Sequence, residues 1–124
     1  MNFSKEVFIN HLEKLSNEIG VSGHEDNISR ILSKKFSEQE LVIKRDALGG
    51  IYASTVDFTA KTTKKRVLIC GHMDEVGFIA REILANGLVK VKNVGGIVNE
   101  SLFGIRVCFY GKGKKVGVFT AVPA

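Results

Sequence analysis

Residues 66–78 read Arg-Val-Leu-Ile-Cys-Gly-His-Met-Asp-Glu-Val-Gly-Phe, an apolar run followed directly by polar residues. The apolar run, residues 66–70, is typical of a central strand buried on both faces of a sheet. His72 and Asp74 follow it, and residues two apart on an extended chain point to the same side. One ring nitrogen of His72 could then bind a metal while Asp74 accepts a hydrogen bond from the other, which fixes the tautomer.

A purely structural role explains the same two residues. His72 could be a core histidine bonded to Asp74, because most histidines are not metal ligands. Asp74 could equally be a carboxylate that fixes a nearby loop. Glu75 points to the opposite side, and we expect it on a solvent or domain-interface face.

Two helices are predicted before this stretch. Ser4 can cap the first, which Gly20 would end, and Ser22 with Glu25 three residues later forms a capping box for the second. Apolar residues recur at helical spacing in both and predict their buried stripes: Phe8, Leu12, Leu15 and Ile19, then Ile28, Ile31, Leu32 and Phe36.

The remaining segments predict strands. Residues 41–45 and 51–56 flank a glycine-containing turn, and residues 57–65 form a polar loop. After Asp74, short strands are expected at 76–84, 88–92, 97–98, 104–110 and 116–122, with Asn86-Gly87 as a hairpin turn. The fold class is therefore α/β. We expect part of an α/β domain over residues 1–75, with two helices plus strands, and a small β-rich barrel or sandwich over residues 76–124.

Composition narrows the class of protein. At 124 residues, with 44% hydrophobic and 25% charged residues, the chain is typical of one soluble domain. It contains no apolar run of membrane-spanning length, and residues 1–6 lack a signal-peptide pattern. Cys70 and Cys108 lie in apolar runs without metal-ligand spacing, which predicts buried reduced thiols and a cytoplasmic location.

The net charge of +5 comes largely from two basic clusters, residues 61–66 and 112–115. Nucleic-acid binding is one interpretation. Solvated loop charge is favoured over it, because both clusters fall where loops are expected and no aromatics are interleaved for base stacking. Of the other histidines, His11 is expected on a helix surface and His24 at a helix start.

Four motifs occur together and in order. As a set, they resemble the N-terminal third of the glutamyl and deblocking aminopeptidases, the dinuclear-metal metallopeptidases that assemble tetrahedral particles. The motifs are Gly20-Val21-Ser22-Gly23-His24-Glu25, Asp46-Ala47-Leu48-Gly49, His72-Met73-Asp74-Glu75-Val76-Gly77-Phe78 and Gly117-Val118-Phe119-Thr120-Ala121-Val122-Pro123.

The resemblance implies a function. In that family a zinc- or cobalt-type metal pair activates water to attack a peptide carbonyl, so the substrates are peptides with free N-termini. The position matching His72 is a metal ligand, and the position matching Asp74 orients that histidine and supports catalysis. The strand-rich segment matches the start of an inserted PDZ-like or barrel domain that builds homo-oligomers.

The chain departs from the family pattern in two ways. Gly50 stands where the family's turn motif usually has Asn. Only His72 matches a family metal ligand, whereas a catalytic zinc takes about three protein ligands. We therefore expect an N-terminal fragment that is inactive alone and binds metal weakly at best. The alternative is a non-catalytic interaction module that pairs with itself or with a full-length relative through exposed strand edges.

Overall fold

A computed structural model describes residues 4–120. Two helices, α1 (Lys5–Ser16) and α2 (Asp26–Ser37), precede six strands and one short 3-10 helix, Asn99–Ser101. The strands form three antiparallel hairpins, each a separate two-stranded sheet. They pair in chain order: β1 (Val42–Arg45) with β2 (Ile51–Ser54), β3 (Gly77–Ile83) with β4 (Val89–Val94), and β5 (Arg106–Gly111) with β6 (Gly113–Val118).

The first helix begins as predicted and ends early. The Ser4 hydroxyl accepts a hydrogen bond from the Val7 amide at 3.2 Å. The helix ends at Ser16, before the predicted stop at Gly20. Its apolar stripe is not buried, since α1 contains no buried residue. It is α2 that packs against β1 and β2.

The second helix does not use the predicted capping box. Helix α2 begins at Asp26, and Glu25, its N-cap residue, makes no side-chain capping bond. The Glu25 carboxylate instead accepts from the Gly23 amide at 2.7 Å. The predicted buried face of this helix is confirmed at Ile28, which is the one hydrophobic residue that is buried between residues 4 and 120.

The predicted hairpin of β1 and β2 is confirmed, and Asp46 organises its turn. Its carboxylate accepts from the Tyr52 hydroxyl at 2.9 Å and from the amides of Gly50 at 2.8 Å and Leu48 at 2.9 Å. The Tyr52 hydroxyl, followed by the amide of Gly50, holds the pKa of Asp46 below its usual value. Gly49 adopts a φ of 91°, which favours glycine.

The β-rich part forms hairpins, as the sequence predicts. Gly87 has a φ of 84° in the predicted Asn-Gly turn, and Leu84 donates to the carbonyl of Leu88 at 2.8 Å. Residues 97–98 do not form a strand, and the last strand starts at Gly113 rather than at residue 116. Residues 121–122 of that predicted strand lie outside the described residues.

No barrel closes within residues 4–120, so the barrel remains a prediction. The rings of Phe78 and Phe119 lie 4.6 Å apart, centroid to centroid, and link β3 to the segment that follows β6.

The prediction of a buried strand at residues 66–70 is wrong. None of the described strands pairs with this segment, and Val67, Leu68 and Ile69 are 87%, 79% and 92% exposed. Burial on both faces requires neighbouring strands, and among residues 4–120 no strand lies beside this segment in a sheet.

Both cysteines are free and exposed, so the prediction of buried thiols is also wrong. Cys70 belongs to the uncovered segment 66–70. Cys108 lies on the outward face of β5, where the half-buried Val107 and Phe109 alternate with exposed neighbours.

The basic clusters are divided between a loop and a strand. Residues 61–66 lie in an exposed loop, as expected. Lys114 and Lys115 lie in β6, which corrects their assignment to a loop. Among residues 4–120, none of the helices has both the length and the apolar composition that spanning a bilayer requires.

Candidate functional site

The site forms where the segment between α1 and α2 runs beside residues 73–77. The Glu75 amide donates to the Gly20 carbonyl at 2.7 Å, and Val21 and Glu75 form an isolated parallel bridge. The Glu75 carboxylate accepts from the Gly20 amide at 3.2 Å. Glu75 is exposed, as expected, and it also fastens two parts of the chain that are far apart in sequence.

Two glycines allow this close approach. A Cβ at Gly77 would lie 2.5 Å from Val21 Cγ2, and one at Gly20 would lie 2.9 Å from Ile28 Cγ1 and 3.3 Å from the Met73 carbonyl oxygen. Neither position has room for a side chain unless its neighbours move.

His72 and Asp74 meet as their spacing predicts. The Nδ1 atom of His72 lies 2.9 Å from the Asp74 carbonyl oxygen and 3.2 Å from Asp74 Oδ1. Both neighbours are acceptors, which assigns the proton to Nδ1 and leaves the lone pair on Nε2. The His72 side chain is 87% exposed and that of Asp74 is 41% exposed. The ring therefore does not occupy a core position.

Ser22 completes the arrangement, and sequence reasoning missed it. Its hydroxyl donates a short hydrogen bond to Asp74 Oδ2. This bond lowers the pKa of Asp74, and the hydrogen bond from His72 lowers it further. The motif at residues 20–25 contains Ser22 and could have indicated a role at the site. The capping-box pattern instead predicts that this serine caps α2.

His72, with Asp74 bonded to its ring, has the geometry of one protein ligand of a metal site. An imidazole with its Nδ1 bonded to a carboxylate and its Nε2 directed elsewhere is the usual arrangement of a metal-binding histidine. Within the part of the chain that the structure describes, no group of three or more His, Cys, Asp or Glu side chains could hold a metal ion. His11 is exposed on α1, as expected, and His24 lies just before the start of α2, where it was expected, and is exposed.

Comparisons of the sequence with known proteins found one family model and several named relatives. The family model for M42 glutamyl aminopeptidases matches residues 49–124. A protein of Escherichia coli (strain K12) named "Putative aminopeptidase SgcX" is 34% identical over 98 residues, which cover 78% of this chain and 26% of that protein. The lysyl aminopeptidase of Pyrococcus furiosus is 29% identical over 118 residues, covering 90% of this chain and 32% of the relative. The glutamyl aminopeptidase of Lactococcus lactis is 31% identical over 100 residues, covering 80% and 28%.

The chain spans about a quarter to a third of the length of these relatives. The family model covers more than half of the chain, and its match includes the His72 and Asp74 segment. This chain therefore belongs to the M42 glutamyl aminopeptidase family.

Proposed function

We propose that this chain is the N-terminal portion of a metal-dependent aminopeptidase that removes N-terminal residues from peptides. The observation that carries the proposal is the Ser22–Asp74–His72 hydrogen-bond series in a chain of this family. Each bond in that series orients the next group, and the last group is an exposed imidazole.

Each residue has a distinct role in this proposal. His72 supplies Nε2 as one ligand to a divalent metal pair of the zinc or cobalt type. Asp74 holds the imidazole in the Nδ1-protonated tautomer, and Ser22 holds the carboxylate in turn. The hydrogen bond from Ser22 lowers the pKa of Asp74, which favours the carboxylate that accepts the hydrogen bond from Nδ1 of the neutral ring. The chemistry that such a metal pair would supply is Lewis-acid activation of a bound water, through a lowered pKa of that water.

The proposal includes a division of the chain near residue 75. Residues 1–75 belong to the α/β catalytic domain, and residues 76–124 begin an inserted β-rich domain of the PDZ-like or barrel type that supports homo-oligomers. The hairpins β3–β4 and β5–β6, linked through Phe78 and Phe119, support this division. A cytoplasmic location is part of the same proposal.

Taken alone, the chain should bind metal weakly and show no peptidase turnover. One matched ligand is fewer than the three that a catalytic zinc takes. Zinc titration followed by ¹⁵N NMR tests the ligand role. The His72 Nε2 signal should shift first and furthest, while those of His11 and His24 serve as internal controls. Equal shifts at all three histidines would remove His72 from the metal site.

A glutamyl-anilide assay with cobalt or zinc tests the second half of the proposal. We expect no turnover by the purified chain. Turnover that the His72→Ala variant loses would show that the chain is a complete catalyst and would contradict the proposed inactivity.

A second function is favoured by a separate observation. Between the hairpins β3–β4 and β5–β6 lies an open cleft of about 810 Å³ with an apolar floor that includes Val91, Val107 and Phe109. We therefore propose, as the alternative, a non-catalytic module that pairs with itself or with a full-length relative. Sedimentation of the chain, alone and mixed with such a relative, tests it, and a strict monomer in both cases would exclude it.

A further inference from the structure

Two consecutive carboxylates contact the segment that carries Ser22. The Ser22 hydroxyl donates to Asp74 Oδ2, and the Gly20 amide donates to Glu75 Oε1 at 3.2 Å. We propose that Glu75 is a positioning residue for His72. It holds the backbone of Gly20, which keeps Ser22 against Asp74, and that carboxylate orients the imidazole. This inference rests on the ligand role proposed above for His72 and gives Glu75 a part in it.

The first argument is that the Gly20 amide needs an acceptor. Gly20 is buried, and a buried backbone N–H without a partner costs free energy comparable to a lost hydrogen bond. Glu75 Oε1 supplies this acceptor from a position 55 residues further along the chain. The Glu75 carboxylate therefore stabilises the path of the segment between α1 and α2, although the residue itself is exposed.

The second argument is that two hydrogen bonds join the same pair of residues. Besides accepting from the Gly20 amide, Glu75 donates its own amide to the Gly20 carbonyl at 2.7 Å. Paired bonds restrict the orientation of two groups as well as their separation. The backbone at residue 20 is therefore fixed against residue 75 in both respects.

The third argument is the short chain between these bonds and the candidate site. Consecutive Cα atoms are about 3.8 Å apart, so Ser22, two residues after Gly20, stays within about 8 Å of it. Asp74 directly precedes Glu75. Holding Gly20 on Glu75 thus brings the Ser22 hydroxyl to the Asp74 carboxylate. When Gly20 is released, Ser22 has a wider range of positions, and its bond to Asp74 is made for less of the time.

The tautomer of His72 reports the result of this arrangement. Its Nδ1 faces the carbonyl oxygen and Oδ1 of Asp74, so the proton belongs on Nδ1. A carboxylate that Ser22 no longer orients selects this tautomer less strongly, because the hydrogen bond of one ring nitrogen sets which nitrogen is protonated. A residue that contributed only to folding stability would leave the tautomer of the folded chain unchanged.

Long-range ¹H–¹⁵N NMR of the metal-free chain measures the ratio of the two tautomers. At about pH 9 an imidazole is ordinarily neutral, so the ratio does not include the protonated ring. Two variants separate the reach of the Glu75 side chain from its charge. Glu75→Gln keeps an oxygen acceptor at the same length, whereas Glu75→Asp keeps the charge and is one methylene shorter.

Glu75→Gln should keep the Nδ1–H to Nε2–H ratio of the unmodified chain. Glu75→Asp should lower it about twofold or more, the effect of weakening one hydrogen bond. Glu82→Asp is the matched control, since Glu82 accepts from Lys90 at 2.9 Å within the β3–β4 hairpin, and it should leave the ratio unchanged. Ser22→Ala should itself lower the ratio, and Glu75→Asp should have no further effect in that background.

Several results would overturn the role of Glu75. An equal loss in Glu75→Gln and Glu75→Asp would assign the effect to charge, and an unchanged ratio in Glu75→Asp would remove it. The same loss with and without Ser22 would show that Glu75 does not act through that hydroxyl. Circular dichroism accompanies each measurement, and loss of the fold in Glu75→Asp would also overturn the proposal, since Glu75 would then be required for folding and not for positioning.

The tautomer ratio and the zinc titration are separate measurements. Equal zinc shifts at all three histidines, together with the expected ratios, would remove the ligand role of His72 and leave its positioning by Glu75. Preferential zinc shifts at His72, together with an unchanged ratio in Glu75→Asp, would remove only the role of Glu75. The failure of one proposal is therefore distinguishable from the failure of the other.

Discussion

A single methyl group at residue 77 should disrupt the contact that positions the candidate site. In Gly77→Ala, the new Cβ would lie 2.5 Å from Val21 Cγ2 and 3.1 Å from Val21 Cγ1. Both distances are well inside van der Waals contact. The Val21 side chain, the segment that carries it or the start of β3 must therefore shift, and overpacking of this kind costs about 1–3 kcal/mol. For a chain of this size, the melting temperature should fall by about 4 °C or more.

A control variant adds the same methyl group where there is space for it, and a rescue variant removes the groups with which it collides. At Gly96 a Cβ would meet nothing within 4 Å, so Gly96→Ala should leave stability unchanged or raise it slightly. Val21→Ala removes both γ-methyl groups that collide with residue 77. The double variant Val21→Ala/Gly77→Ala should therefore be more stable than the sum of the two single effects predicts.

Urea denaturation of the unmodified chain and of the four variants measures this coupling. If Gly77→Ala is as stable as Gly96→Ala, or if Val21→Ala gives no rescue, the close approach does not limit stability and the reasoning fails.

Three further predictions concern the candidate site, the turn between β1 and β2, and the contact between two aromatic rings. Ser22→Ala should raise the pKa of Asp74 toward its ordinary value, because the serine hydroxyl bond is the largest cause of its lowering; a carboxyl NMR titration measures this, and an unchanged pKa would contradict it. Asp46 has a lowered pKa in the fold, so its contribution to stability is present above its unfolded pKa and lost as pH falls through the folded pKa. Asp46→Asn should remove that part of the acid-induced loss in melting temperature below about pH 4. Phe78→Leu and Phe119→Leu should show a coupling energy of about 0.5–1.5 kcal/mol in a double-mutant cycle, and zero coupling would show that the ring contact adds nothing beyond burial.

The features of this structure that depend on residues close together in the sequence are predicted well. The Ser4 hydroxyl caps the helix it precedes, and Asn86-Gly87 forms a hairpin turn with Gly87 at positive φ. The His72–Asp74 contact follows from their spacing alone, because the two side chains share one side of the chain. In each case the partners are close in sequence, so no knowledge of the remaining fold is needed.

Features that need a distant partner are the ones that sequence reasoning misjudged. The run at residues 66–70 has the composition of a buried strand, yet burial requires neighbours, and none of the described strands pairs with it.

Ser22 is a second residue whose role depends on a partner that is distant in sequence. Its hydroxyl can serve the helix start three residues away or the carboxylate of Asp74, 52 residues away. The local pattern favours the first, and the structure has the second. In a helix cap the serine oxygen would accept from a backbone amide, whereas here the hydroxyl donates to a carboxylate, and charge-assisted hydrogen bonds are about twice as strong as neutral ones. The two hydrogen bonds between Gly20 and Glu75 bring the Asp74 carboxylate within reach of Ser22. A capping motif beside a loop that can approach an ionised side chain is therefore ambiguous, and the long-range contact decides which bond forms.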